Sequence, residues 1–145
     1  MKVLLQRVSH ATVRVDGEEI ARIEKGLLAL VGIEKGDIPE SVSVLAEKTA
    51  MLRIFPDDDG KMNLSCVDIG GKILAVSQFT LAGNCSKGRR PSFDSAAHPE
   101  MARELYELYV KKLEAFGIPT EQGRFGADMK VELLNDGPVT FLLEK

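Results

Sequence analysis

Two short segments, far apart in the chain, hold the groups best able to do chemistry. Ser77-Gln78-Phe79-Thr80-Leu81 closes an apolar run, and Asn135-Asp136-Gly137-Pro138-Val139-Thr140 sits between two apolar runs near the C-terminus. At a strand end, backbone N–H groups can leave the ladder and converge on a ligand. Two such groups make an oxyanion hole for acyl transfer. Thr80 adds a hydroxyl, and Gln78 an amide that both donates and accepts. In the second segment Gly137 permits a close backbone approach. Pro138 can take a cis peptide bond. A cis Gly-Pro would set two carbonyl oxygens nearly side by side, an acceptor pair suited to an α-ammonium group. Taken singly, the first segment is better read as a buried strand with incidental polar positions, since short motifs match often by chance. The second, alone, is better read as a tight hairpin turn. Gly-Pro nevertheless breaks the local rule for a strand, because proline donates nothing to a ladder and glycine packs nothing. Such breaks are where functional sites are expected.

Other chemistries find no support. The only histidines are His10 and His98, and His98 precedes Pro99 at a helix start, a surface or capping position. No G-x-S-x-G elbow occurs. Gly32, Gly36 and Gly60 match no nucleotide fingerprint. Asp57-Asp58-Asp59-Gly60 hints at a calcium loop, but Lys61 stands where an oxygen ligand is needed and no glutamate closes the loop. Cys66 and Cys85 lack metal-ligand or CxxC spacing. The sequence therefore predicts an activity without metal or organic cofactor. Lys87, Arg89 and Arg90 form one basic cluster, readable as a solvated loop or as a phosphate contact.

The joint occurrence of Ser-Gln-Phe-Thr-Leu and Asn-Asp-Gly-Pro-Val-Thr, in this order and at this separation, resembles the two signature motifs of the D-aminoacyl-tRNA deacylases. The resemblance continues through Gln6-Arg7-Val8, Lys87-Gly88-Arg89-Arg90-Pro91-Ser92-Phe93 and Gly126-Ala127-Asp128-Met129, and covers essentially the whole chain. It implies a hydrolase that cleaves the ester between a D-amino acid, or glycine mischarged on tRNA(Ala), and the 3′-terminal adenosine of tRNA. It implies a homodimer with active sites at the interface, the Gly-Pro segment of one subunit entering the pocket of the other. Gly137 and Pro138 would then be the chirality filter, their carbonyls holding the α-ammonium so that an L side chain meets a wall. Exclusion of this kind is how specificity is often built. Ser77, Gln78, Phe79 and Thr80 would line the ester, with the N–H groups of Phe79 and Thr80 stabilising the oxyanion. Thr80 has no visible base to make it a nucleophile, which favours assistance by the substrate's ribose 2′-hydroxyl. Arg7 would anchor the Gly-Pro segment, Met129 would shape the pocket, and Lys87, Arg89 and Arg90 would meet acceptor-end phosphates. A rival reading is a non-catalytic RNA- or DNA-binding module that uses the same pocket and loop.

These groups need elements to position them. Val3, Leu5, Val8, Ala11, Val13 and Val15 mark a long strand whose phase slips between Arg7 and His10, predicting a bend or bulge. Asp16-Gly17 signals a hairpin, returning through residues 18–24. Leu27 to Ile33 and Lys72 to Leu81 read as buried strands. Pro39 to Leu52 reads as a helix with Val42, Leu45, Ala46, Ala50 and Met51 on its inner stripe. Pro99 to Phe116 reads as a second helix with Met101, Leu105, Leu108, Tyr109 and Leu113 inward, stopped by Gly117. Met129 to Leu134 and Val139 to Leu143 read as strands flanking the Gly-Pro segment. This order predicts an α/β protein of mixed β-sheets with two helices packed on one side. The resemblance implies the same arrangement as three layers, α/β/β.

The 145 residues suit one domain over 1–145, 44% hydrophobic and 28% charged, a composition that argues against disorder. A net charge of −3 argues against a dedicated polyanion binder. No signal-peptide pattern and no membrane-length apolar run is present. The cysteines are expected to be reduced, in a cytoplasmic protein.

Overall fold

The computed structural model describes residues Met1–Lys145. Its spine is β1 (Lys2–Val15), with β2 (Glu18–Ile23), β3 (Gly26–Gly32), β6 (Lys72–Ser77), β7 (Thr120–Gln122) and β8 (Lys130–Glu144) completing the main sheet. β4 (Phe55–Pro56) and β5 (Met62–Leu64) form a small separate hairpin. The helices are α1 (Pro39–Met51) and α2 (Pro99–Ala115).

The strand order is β2-β1-β3-β6-β7, with β8 also on β1. β8 pairs with β1 along its length, so the other edge of β1 serves two partners in turn. Residues 2–8 take β3 and residues 11–15 take β2. The register shifts at Val8 on both sides, where the sequence slips phase: Val8 and Ala11, an odd number of steps apart, are both fully buried. A strand with period two can bury both only by bulging. Across the bulge the strand changes the core it serves: Val3 and Leu5 belong to one, Val8, Ala11 and Val13 to the other.

β3, β6 and β7 run parallel, joined by α1 and α2 as crossovers. Right-handed crossovers that progress one way across a sheet put their helices on the same face. The helices do pack against each other, and Tyr109 Oη donates to Thr49 Oγ1 at 2.8 Å between them. Two cores result. Leu5, Leu27, Ala29 and Ile73 meet the helices through Leu45, Tyr109 and Leu113. Val8, Val13, Ile23, Leu28 and Leu74 fill the space inside the folded sheet. Helices, sheet and sheet make the expected three layers. Gly26 is required by the close approach of β3 and β6, since a Cβ there would lie 1.8 Å from the Lys72 carbonyl oxygen.

The structure corrects the sequence reading in four places. β6 ends at Ser77, and Phe79–Ala82 is a 3₁₀ turn, not strand. Met51 is exposed and Thr49 is buried in its stead, because Thr49 falls on the Leu45 side of the helix and finds the Tyr109 hydroxyl. The polar stretch Thr120–Gln122 is a strand. The two C-terminal runs form one continuous strand, β8, with the Gly-Pro segment as an excursion within it rather than a hairpin turn.

The Met1 α-ammonium is buried. It donates to Asp37 Oδ1 and, at 2.7 Å, to the Lys145 carbonyl. Cys66 is buried and Cys85 exposed, both as free thiols; burial pushes the Cys66 thiol up to about 12. No helix is long and apolar enough to cross a membrane.

Candidate active site

The chain changes hydrogen-bonding partners where β6 stops. Gln78 N–H still reaches across to the Val31 carbonyl at 2.8 Å. The first bond of the turn that follows runs from Leu81 N–H to the Gln78 carbonyl at 3.2 Å. The N–H groups of Phe79 and Thr80 lie between these two, after the sheet and ahead of the turn's own ladder. The turn lies close over Gly32, where a Cβ would come within 2.8 Å of Leu81 Cβ and 3.1 Å of the Gln78 carbonyl. The Thr80 hydroxyl accepts from Gln78 Nε2, so an amide donor, and no base, holds it.

This turn borders a cavity of about 490 Å³, within the usual range for small-molecule sites. It is lined by Ser77, Gln78 and Phe79, by Val31, Ile33 and Val76 of the sheet, and by Phe125 to Met129. Ala97, Pro99 and Ala102 close the helix side. Met129 is seated by Gly123, where a Cβ would stand 2.7 Å from its Sδ. The lining is mostly apolar, with a few polar groups from the first motif. That combination can bury a ring system and orient a polar bond beside it.

The second motif is built with equal care but lies elsewhere. Between the pairings Gln6–Thr140 and Val8–Asn135, β8 spends three more residues than β1 does. Asn135 bridges the base of this excursion. Its Oδ1 accepts from Val139 N–H at 2.8 Å, and its Nδ2 donates to Thr140 Oγ1 at 2.9 Å. Arg7, with its side chain 11% exposed, donates from Nε to the Asp136 carbonyl at 3.0 Å and from Nη1 to the Ile54 carbonyl at 2.6 Å. The Gly137–Pro138 bond is cis, and both residues are exposed.

Ser77, Gln78, Phe79 and Met129 therefore share one cavity, with Thr80 exposed beside it. Arg7, Gly137 and Pro138 form a separate cluster. Val8, which faces Asn135, pairs with Gly26 at the start of β3, whereas the cavity takes Val31 near its end. At ~3.3 Å per residue the two places are roughly 16 Å apart along β3. Lys87, Arg89 and Arg90 are exposed on a loop closed by the Asn84–Ser92 bridge. Sequence reasoning missed Phe125 in the cavity lining, and also Phe93 and Gly123, which do not line the cavity but pack against its residues Phe79 and Met129. The signal for Phe93 was an aromatic residue stranded in an otherwise polar loop.

Comparison with known proteins identifies the family. The family model described as D-Tyr-tRNA(Tyr) deacylase matches residues 4–144. A protein of Geotalea daltonii named D-aminoacyl-tRNA deacylase is 62% identical over 144 residues, 99% of this chain and 96% of that one. A Pelobacter propionicus protein of the same name is 59% identical over 145 residues, with all of both chains covered. A solved structure titled c-Myc DNA Unwinding Element Binding Protein superposes with a TM-score of 0.94 at 38% identity, over 100% of this chain and 99% of that one. Another, titled as a probable eukaryotic D-amino acid tRNA deacylase, shares the fold with a TM-score of 0.84 at 17% identity, over 98% and 97% of the two chains. The α/β fold and the full-length relatives together define the class, a D-aminoacyl-tRNA deacylase. The chain belongs to the D-Tyr-tRNA(Tyr) deacylase family and is an enzyme of that family.

Proposed function

We propose that this chain, acting over residues 1–145 as one catalytic domain, hydrolyses the ester that joins a D-amino acid or glycine to the terminal adenosine of tRNA. The observation that carries this reading is the partner switch at Ser77–Leu81. It leaves the Phe79 and Thr80 N–H groups between sheet and turn, at the edge of the cavity. Water adds to the ester carbonyl carbon, and the negative charge that gathers on its oxygen is met by these two donors. Each donor of this kind is worth about 3 kcal/mol of barrier. The carbon–oxygen bond to the ribose 3′-oxygen then breaks, and that oxygen takes a proton. The adjacent 2′-hydroxyl assists, and the protein supplies geometry.

Chirality is filtered by the carbonyls of Gly137 and Pro138, which hold the α-ammonium group and leave an L side chain no room. The filter works on the partner's pocket in a homodimer. The separation of the two clusters within one chain supports this, as does the apolar surface beside the Gly-Pro segment. Leu134, Phe141 and Leu142 on β8 are 54%, 40% and 51% exposed, the kind of patch that marks an interface. Two free thiols fit a cytoplasmic enzyme.

Thr80→Ala tests the chemistry. It is expected to keep kcat on D-tyrosyl-tRNA within about tenfold of wild type, whereas tRNA ending in 2′-deoxyadenosine loses at least roughly a hundredfold. A complete loss in Thr80→Ala with binding intact would make Thr80 the nucleophile. Nucleic-acid binding without turnover is the rival reading, favoured only by the name of the 38% identical structure. Binding of tRNA that depends on Arg89 and Arg90, with no ester cleaved, would support it.

A further inference from the structure

We propose that Phe93, packed against Phe79 at the mouth of the cavity, forms with the basic loop before it the seat for the nucleotide that precedes the terminal adenosine. This rests on reading the cavity as the seat of the aminoacyl-adenosine.

Phe79 is 57% exposed and Phe93 38% exposed. Their ring centroids are 5.0 Å apart with an interplanar angle of 62°. Edge-to-face packing at this distance is favourable in itself, yet it leaves ring surface on both residues open to water. Phe79 lines the cavity, so Phe93 carries the aromatic surface outward from its mouth.

The position of Phe93 is fixed by the backbone. A Cβ on Gly83 would come within 3.1 Å of a Phe93 ring carbon and 2.8 Å of the Thr80 carbonyl. The ring therefore lies on bare backbone, next to the turn that carries the two donors. Asn84 and Ser92 exchange backbone bonds at 2.7 and 3.0 Å immediately before it. Ser95 Oγ ties the far side to the Ala82 carbonyl at 2.7 Å.

The loop that this clamp closes, residues 85–91, contains Lys87, Arg89 and Arg90 and no acidic residue. None of the three cations is in an ion pair. Asp94, the nearest acid in sequence, is occupied as acceptor from Ser92 Oγ at 2.7 Å. A chain with net charge −3 thus gathers three unpaired cations in the loop that leads directly into the Phe79–Phe93 pair. Ring surface flanked by cations is what binds single-stranded nucleotides: the base stacks and the phosphate is neutralised, with little dependence on base identity. A duplex offers no free base face to such a platform, and the flexible 3′ end of a tRNA does.

The test compares kcat/KM for 3′-O-D-tyrosyl-adenosine, for the same ester of cytidylyl-adenosine, and for D-tyrosyl-tRNA. In wild type the added nucleotide is expected to raise kcat/KM at least about tenfold, in line with one stacked base. Phe93→Ala should reduce that gain to roughly twofold or less, and Phe93→Tyr, which keeps the ring, should restore it. Arg89→Gln with Arg90→Gln should flatten the salt dependence of KM for the cytidylyl-adenosine ester. A merely structural Phe93 would lower turnover of both small esters equally and leave their ratio unchanged, which overturns the proposal. If wild type cleaves the adenosine ester but gains nothing from the preceding nucleotide, the cavity reading stands and this one falls. If it cleaves neither, the cavity reading falls and takes this proposal with it.

Discussion

Gly137→Ala is expected to lower kcat/KM for D-tyrosyl-tRNA about a hundredfold, the loss that a misplacement of about 1 Å produces at a reacting site. Gly137 has φ +132°, a backbone conformation that L side chains rarely adopt, and its Cβ would stand 2.7 Å from Val139 Cγ2 and 2.9 Å from Arg7 Nη2. Neither neighbour yields easily. Val139 is buried, with its N–H held by Asn135. Arg7 is bonded to the carbonyls of Asp136 and Ile54. The exposed Gly-Pro excursion must move instead, and its carbonyls with it. Because Gly137 and Pro138 are themselves exposed and belong to neither core, the fold should survive, and circular dichroism with a thermal melt would confirm this. Undiminished turnover of the D ester, with D/L discrimination also unchanged, would remove the filter role from this segment.

Asp37→Ala is expected to cost about 3–5 kcal/mol of stability, the usual loss when one partner of a buried ion pair is deleted. The Met1 and Asp37 side chains are 0% and 5% exposed, and the ammonium–carboxylate bond between these residues is buried. Asp37 Oδ2 also accepts from Glu34 N–H at 2.7 Å, fixing the turn into α1. Without Asp37 the ammonium keeps the Lys145 carbonyl and a more distant Glu34 carboxylate at 3.7 Å. For a chain of this size the melting temperature should fall by roughly 10 °C. A loss under about 1 kcal/mol in chemical denaturation would show that the pair contributes no more than a surface bridge.

The parts of the fold legible from sequence were those with a local cause. The phase slip between Arg7 and His10 marked the bulge of β1 because period two admits no other solution. Asp16 and Gly17, with φ of 52° and 83°, make the turn their types demand. Both helices begin at a proline; α1 buries its expected stripe except Met51, and α2 buries Leu105, Tyr109 and Leu113 as expected but leaves Met101 and Leu108 half-buried and buries Tyr106 and Val110 as well. What stayed hidden depended on partners distant in sequence. Gly137-Pro138 has the composition of a hairpin turn, and only the presence of β1 on both sides of it makes one strand with an excursion. Leu81 extends an apolar pattern, so the end of β6 at Ser77 cannot be read without the Gln78–Val31 bond that closes the ladder. Thr120–Gln122 is too short and polar to signal a strand, yet its place beside β6 pairs it.

The candidate site divides in the same way. Ser77, Gln78, Phe79 and Thr80 were singled out by type and position, and the structure sets the first three into the cavity wall. Met129 came only with the family resemblance, and it also lies in the cavity wall. Motif order along the chain, however, carries no distance. That Gly137 and Pro138 lie well away from that cavity in the same chain is a consequence of strand register, visible only once β1, β3 and β8 are paired.

The most direct measurement is the rate of deacylation of matched D- and L-tyrosyl-tRNA, with glycyl-tRNA alongside. Rapid release of D-tyrosine and of glycine, with the L ester spared, is the predicted result: a filter that acts by excluding a side chain cannot exclude glycine. Equal rates for the D and L esters would contradict the chirality filter, and release from none of the three would contradict the catalytic reading of the cavity itself.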